Sequence, residues 1–213
     1  MLYIILKKLY LTHIKLIKFI NIDKKEPFSL LHEYYLEAVR LKQKSPEIFI
    51  VSSYDEAIKE VDSRCVNLKI VDENKFIFFS NYLSPKSKQF KNHPTVSTII
   101  FWDALNLQIR MKGTIERTSD SFNQDYFAER SKAKNALAIS SNQSSKIESY
   151  QDVVNKYQDT LKNKDLLKCP SYWGGFMFLP YNIEFWKGHK NRLNKRDLYQ
   201  LENNIWLKSI LEP

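Results

Sequence analysis

The chain has 213 residues, 43% of them hydrophobic and 14% aromatic, with only four glycines, which excludes collagen-like, low-complexity and wholly disordered readings and allows a sizeable core. A formal net charge of +9 raises the question of a nucleic-acid partner, but lysines such as Lys7, Lys24, Lys75, Lys112, Lys162 and Lys208 are scattered, so no nucleic acid is expected. Cys65 and Cys169 stand far apart in no metal-ligand spacing, and His32, His93 and His189 form no cluster with acids; no metal or disulfide is expected, and a cytoplasmic location fits.

The apolar opening from Met1 is interrupted by Lys7, Lys8, His13, Lys15 and Lys18, so no membrane span is expected. Residues 1–25 are set apart as a basic apolar segment of undetermined order, and residues 26–213 as a single domain. Pro27 precedes Leu30, Leu31, Tyr34, Tyr35, Ala38 and Val39 at helical spacing, and that helix is expected to end before Ser45-Pro46. Short β-branched and aromatic runs follow at 48–52, 65–71, 76–80, 96–101 and 107–115, with the polar residues 72–75 making a hairpin turn. A short helical pattern occupies 84–92, Ser119 caps a helix running to Arg130, and a longer one is expected from Ser145 to about Lys162. Runs at 176–186 and 205–211 read as the final strands, joined through Asn203-Asn204. Strands at hairpin spacing, with helices gathered at the start and middle, predict an α+β chain built on an antiparallel barrel.

Arginine is scarce beside lysine: Arg40, Arg64, Arg110, Arg117, Arg130, Arg192 and Arg196 are all there are. In a chain that uses lysine for generic charge, arginine points to its planar fork, which grips phosphate or carboxylate through two donors. The pieces Arg64-Cys-Val-Asn-Leu-Lys69, Phe79-Ser-Asn, Ser84-Pro-Lys86, Ser171-Tyr-Trp-Gly-Gly175, Ile183-Glu-Phe-Trp186 and Arg192-Leu-Asn-Lys-Arg196 are each weak alone. In this order and at this spacing, from about Pro27 to Pro213, they resemble the pyridoxamine 5'-phosphate oxidase family.

The resemblance implies an FMN-binding split β-barrel with flanking helices, assembled as a homodimer with each flavin at the subunit interface. It carries FMN contacts onto Arg64, Cys65, Val66, Asn67, Leu68, Lys69, Phe79, Ser80, Pro85, Lys86, Gln108, Gln143, Ser144, Trp186 and Arg196. It carries substrate contacts onto Lys69, Tyr126, Arg130, Lys134, Arg192 and Asn194, with Arg192 and Asn194 positioning the reacting ring and no nucleophile expected. The implied reaction converts pyridoxamine or pyridoxine 5'-phosphate to pyridoxal 5'-phosphate, with molecular oxygen as acceptor and hydrogen peroxide as product. Four of the seven arginines fall on matched ligand positions.

The chain departs from the family pattern at Pro85, where an arginine is usual, at Lys134 for a serine, at Asn194 for a histidine and at Lys195 for an acid. Asn194 keeps hydrogen-bonding capacity but cannot titrate near neutral pH. These departures keep two alternatives open: a split-barrel flavoprotein with another redox substrate, or a non-catalytic FMN or pyridoxal phosphate binder. Trp173 and Phe185 are assigned to the core and Gly174-Gly175 to close packing, with Trp186 alone among these aromatics assigned to flavin.

Overall fold

The structure is a computed structural model that describes residues 16–213. The opening of the basic apolar segment lies outside the described residues, but its end joins the sheet. Strand β1 (Lys18–Ile20) pairs in parallel with the end of β3 (Glu60–Asp72), and Ile17 is buried.

Period-two burial is clearest in two of the remaining strands. In β5 (Thr95–Trp102) Val96, Thr98, Ile100 and Trp102 turn inward, and in β6 (Leu107–Arg117) Leu107, Ile109, Met111 and Ile115 do. Strand β2 (Ile48–Asp55) lies between β3 and β5, while β4 (Lys75–Asn81) pairs with β3 on one side and β7 (Trp173–Lys187) on the other. Because β5 pairs with β6 and β6 with β7, the six strands β3, β2, β5, β6, β7 and β4 close into an antiparallel barrel. Its interior is filled by Phe49, Phe76, Phe78 and Phe178, with ring centroids about 6 Å apart. Burial of each such ring contributes roughly 1.5–3 kcal/mol.

Helix α1 (Phe28–Arg40) covers the barrel with one face, burying Phe28, Leu31, Tyr35 and Ala38 at helical spacing. Around the barrel follow α2 (Pro85–Asn92), α3 (Asp120–Glu129), α4 (Lys132–Ser140) and α5 (Tyr150–Asn163). Ser119 caps α3 as the sequence predicts, its hydroxyl accepting from the Phe122 N–H. The expected helix from Ser145 begins instead at Tyr150, because Ser149 takes the capping position and accepts from the Asp152 N–H. Residues 141–149 are therefore a loop.

The C-terminal end also differs from expectation. An unpredicted strand, β8 (Lys195–Glu202), follows β7 and buries Asp197 and Tyr199. The Asn203-Asn204 turn joins β8 to β9 (Ile205–Leu211) rather than joining the 176–186 run to β9. Both asparagines have positive φ and lie between the paired Glu202 and Ile205, the geometry of a two-residue hairpin of type I′. Strand β7 is long enough to serve two neighbours, pairing with β4 through 173–178 and with β8 through 182–187.

Candidate active site

The sequence-matched residues fall into two separate groups. The first surrounds a cavity of about 370 Å³ lined by Asp62, Arg64, Cys65, Val66, Asn67, Phe79, Ser80, Pro85, Lys86, Gln143 and Ser144. Strand β3 supplies the 62–67 edge and the end of β4 supplies Phe79 and Ser80. The start of α2 contributes Pro85 and Lys86, and the 141–149 loop contributes Gln143 and Ser144. Gln143 ties these pieces together: its Oε1 accepts from the Ser80 hydroxyl at 3.1 Å and from the Asn81 N–H at 3.2 Å.

Lys86 is the least ordinary group here. Its side chain is buried, and its Nζ donates to the Ser80 and Ser84 hydroxyls at 3.1 and 3.2 Å. Among the described residues no carboxylate is paired with it. Burial, and secondarily the nearby Arg64 charge, pulls its pKa down to about 8. A buried cation with no carboxylate in direct contact, Asp62 acting on it only from a distance, is the donor chemistry that a phosphate would satisfy. Pro85 occupies the first turn of α2, where a backbone N–H has no helical partner, so its missing donor costs the helix nothing.

Leu68 and Lys69 continue β3 past this cavity but do not line it. Leu68 faces the core, while Lys69 is half-buried where the β3–β4 register shifts between Leu68 and Ile70.

A second cavity of about 240 Å³ shares Phe79, Ser80 and Gln143 with the first and adds Asn81, Arg130, Lys134, Leu137, Ala138, Ser141 and Trp173. Arg130, just after α3, lies over the Trp173 ring at 4.4 Å, and its buried Nη1 has no hydrogen-bond partner. Burial pulls the guanidinium below its usual pKa. Phe79 stacks between Tyr126 at 3.7 Å and Trp173 at 5.1 Å, both nearly parallel to it. Three of the four residues predicted to grip the substrate phosphate, Tyr126, Arg130 and Lys134, thus meet around one ring stack, whereas Lys69 lines neither cavity. Trp173 is a wall of this cavity as well as a core residue, which the sequence reading missed. Gly174 and Gly175 are packing glycines as predicted: a Cβ would lie 2.1 Å from the Tyr82 hydroxyl at the first and 2.5 Å from Thr118 Oγ1 at the second.

The second group is elsewhere on the chain. Gln108, Trp186 and Arg196 sit side by side across β6, β7 and β8, in register and on one face. Trp186 lies eleven residues beyond Gly175, the partner of Phe79, or roughly 35 Å of strand. Arg196 is already engaged, its Nε donating to Glu184 Oε1 at 2.7 Å and its Nη1 to the Glu212 carbonyl at 2.9 Å. Glu184 also accepts from Arg110. Burial pushes the Glu184 carboxyl up, but the hydrogen bonds and charges of Arg196 and Arg110 outweigh it and leave the pKa below the usual range. Arg192 is exposed in the turn joining β7 to β8, with φ 62°. In the same turn Asn194 Oδ1 accepts from the His189 N–H at 3.0 Å. Lys195 finds its acid two residues along, pairing with the buried Asp197 at 2.9 Å.

Comparison with known proteins covers the segments that carry both groups. Residues 36–159 match the family described as pyridoxamine 5'-phosphate oxidase, and residues 173–213 match the pyridoxine 5'-phosphate oxidase C-terminal dimerisation region. The pyridoxine/pyridoxamine 5'-phosphate oxidase of Aliarcobacter butzleri is 36% identical over 191 residues, covering 88% of this chain and 89% of the relative. The chain belongs to the pyridoxamine 5'-phosphate oxidase family. As a member it is an oxidoreductase of that flavin-dependent kind.

The enzyme of the same name from Ectopseudomonas mendocina is 33% identical over 88% of this chain and 89% of its own. Among solved structures, PhzG from Burkholderia lata, in complex with tetrahydrophenazine-1-carboxylic acid, superposes with a TM-score of 0.84 at 22% identity, covering 90% of this chain and 95% of that one. It bears out the split-barrel fold with flanking helices. The second group of residues lies within the match to the dimerisation region, apart from Gln108, which sits directly beside it on β6. No helix among the described residues is long and apolar enough to cross a membrane, and no group of three metal-ligating side chains is found among them.

Proposed function

We propose that the protein is a homodimeric, FMN-dependent oxidase that converts pyridoxamine or pyridoxine 5'-phosphate to pyridoxal 5'-phosphate. Molecular oxygen is the acceptor and hydrogen peroxide the product. The observation that carries this reading is the joined pair of cavities around Phe79, Ser80 and Gln143, the first holding buried Lys86 and the second half-buried Arg130, neither in a salt bridge among the described residues. Lys86, with Arg64, Ser80 and Ser144, is suited to the FMN phosphate and ribityl chain; Arg130, with Lys134, Lys69 and Tyr126, is suited to the substrate phosphate. The separation of Gln108, Trp186, Arg192, Asn194 and Arg196 from these cavities supports a site completed by the partner subunit, because the match to the dimerisation region runs from 173 to 213.

When bound, FMN supplies hydride acceptance and reoxidation by oxygen. The chain's own residues hold and orient. The Phe79, Tyr126 and Trp173 stack would exclude water from one wall, Arg130 would hold the substrate by its phosphate, and the partner's Arg192 would position the reacting ring. Free Cys65 and Cys169 suit a reducing compartment such as the cytoplasm. The test is direct. The purified chain should be yellow, and with FMN in air it should form pyridoxal 5'-phosphate and peroxide in equal amounts; a flavin-loaded protein inert to both vitamer phosphates refutes the reading.

A different redox substrate on the same flavin scaffold is the second reading, favoured by Asn194, whose side chain is tied to the His189 backbone. Anaerobic flavin bleaching by another reductant, with none by the vitamer phosphates, decides for it.

A further inference from the structure

The phosphate end of the first cavity contains one residue of the wrong sign. Asp62 is the single acid among the residues lining it, in company with Arg64 and Lys86. Its carboxylate is ion-paired with Arg64, two positions along β3 and so on the same face of the strand.

A guanidinium has five N–H donors, and four of those on Arg64 are engaged. Nη1 donates to the Val51 carbonyl at 3.2 Å and to Ser53 Oγ at 2.6 Å; Nη2 donates to Gln89 Oε1 at 2.9 Å and to Asp62 Oδ2. Three of these acceptors are fixed. Ser53 and Gln89 are buried and hydrogen-bonded to each other, and Val51 offers a strand carbonyl in the barrel wall. Asp62 is the exception, with its side chain 56% exposed on the cavity side. Arg64 is therefore anchored from behind by neutral groups, and the one acceptor that can swing into water is the carboxylate.

We propose that Asp62 is an affinity-setting residue of this site: its carboxylate holds the place on Arg64 that a ligand's phosphate takes, so that binding is an exchange of one anion for another. The proposal rests on the reading of this cavity as the FMN phosphate site. Exchange conserves charge at Arg64, keeps the empty site from presenting two uncompensated cations, and weakens the bound state by leaving a displaced carboxylate close to a phosphate dianion. A ligand without a phosphate gains nothing from the departure of Asp62.

The experiment is a fluorescence-quenching titration of the full-length, flavin-stripped chain with FMN and, separately, with riboflavin, which lacks the phosphate. Asp62→Asn, close in shape to the native residue, should tighten FMN by roughly five- to tenfold and leave riboflavin unchanged. Asp62→Glu, which keeps the charge, should bind FMN as the native chain does. Inorganic phosphate should raise the melting temperature of Asp62→Asn more than that of the native chain. Equal or weaker FMN binding by Asp62→Asn, or equal tightening of FMN and riboflavin, overturns the proposal while leaving the FMN assignment standing. Failure of every variant to bind FMN overturns both.

Discussion

Replacing Lys86 by methionine should make the flavin-free protein more stable and its flavin binding worse. The side chain is buried, and its pKa falls from 10.5 to about 8. Between these values the unfolded chain holds the proton and the folded chain does not, so stability rises with pH from about 8 to 10.5 and is lowest, by the full penalty, below 8. At about 1.4 kcal/mol per pK unit the penalty is about 3 kcal/mol, reduced to about 2 because water reaches the cavity mouth. Methionine matches the stem and removes the charge. The Ser80 and Ser84 hydroxyls keep other partners, Gln143 and the Asn81 carbonyl. Flavin-free Lys86→Met should therefore gain about 1–2 kcal/mol at pH 7 and lose the native rise in stability above pH 8. Its FMN affinity should drop roughly ten- to a hundredfold for want of a charge-assisted hydrogen bond. Urea denaturation at pH 7, 8, 9 and 10, paired with flavin titration, reads both quantities. A variant less stable than the native chain at pH 7, or one binding FMN equally well, refutes the reading of Lys86 as a strained, waiting cation.

Arg130→Met should raise KM for pyridoxamine 5'-phosphate at least roughly tenfold with a smaller change in kcat, since a phosphate contact remote from the reacting carbon is uniform binding; steady-state kinetics tests it. Mixing Arg64→Ala chains with Arg196→Ala chains should restore about a quarter of native activity from two nearly inactive parents, because about half of the dimers are mixed and each mixed dimer carries one intact shared site of its two. No recovery after subunit exchange would place both arginines in one chain's site. Gly174→Ala should cost about 2–3 kcal/mol by denaturant midpoint, its Cβ being driven against the Tyr82 hydroxyl and Asn123. Asn194→His should introduce an ionisation near pH 6.5 into the kcat/KM profile, absent in the native chain, if this turn meets substrate.

Much of the fold was legible because the runs at 48–52, 76–80, 96–101 and 107–115 are short, apolar and rich in β-branched and aromatic residues between turn signals. Strand β8 was not, since its inward positions are Asp197 and Tyr199, which find Lys208 and Glu26 from other elements as well as Lys195 on the strand itself. The first cavity was largely legible from motif spacing, with Arg64, Phe79, Ser80, Lys86, Gln143 and Ser144 brought together from distant segments. Asp62 was missed although the two-residue period of β3 puts it beside Arg64, and Trp173 was assigned to the core alone because residue type cannot say which face of a buried ring borders a cavity.

By itself the sequence determined the family and the barrel strands, because these depend on local residue pattern and on motif order. Only the tertiary structure decided that the matched residues form two groups on one chain, since strand register sets how far Trp186 stands from Phe79. It also decided which cations await a partner. Lys86, Arg130 and Arg196 are all cations, but only Arg196 is brought into direct contact with a carboxylate by folding, and that pairing is made between neighbouring strands rather than along the chain.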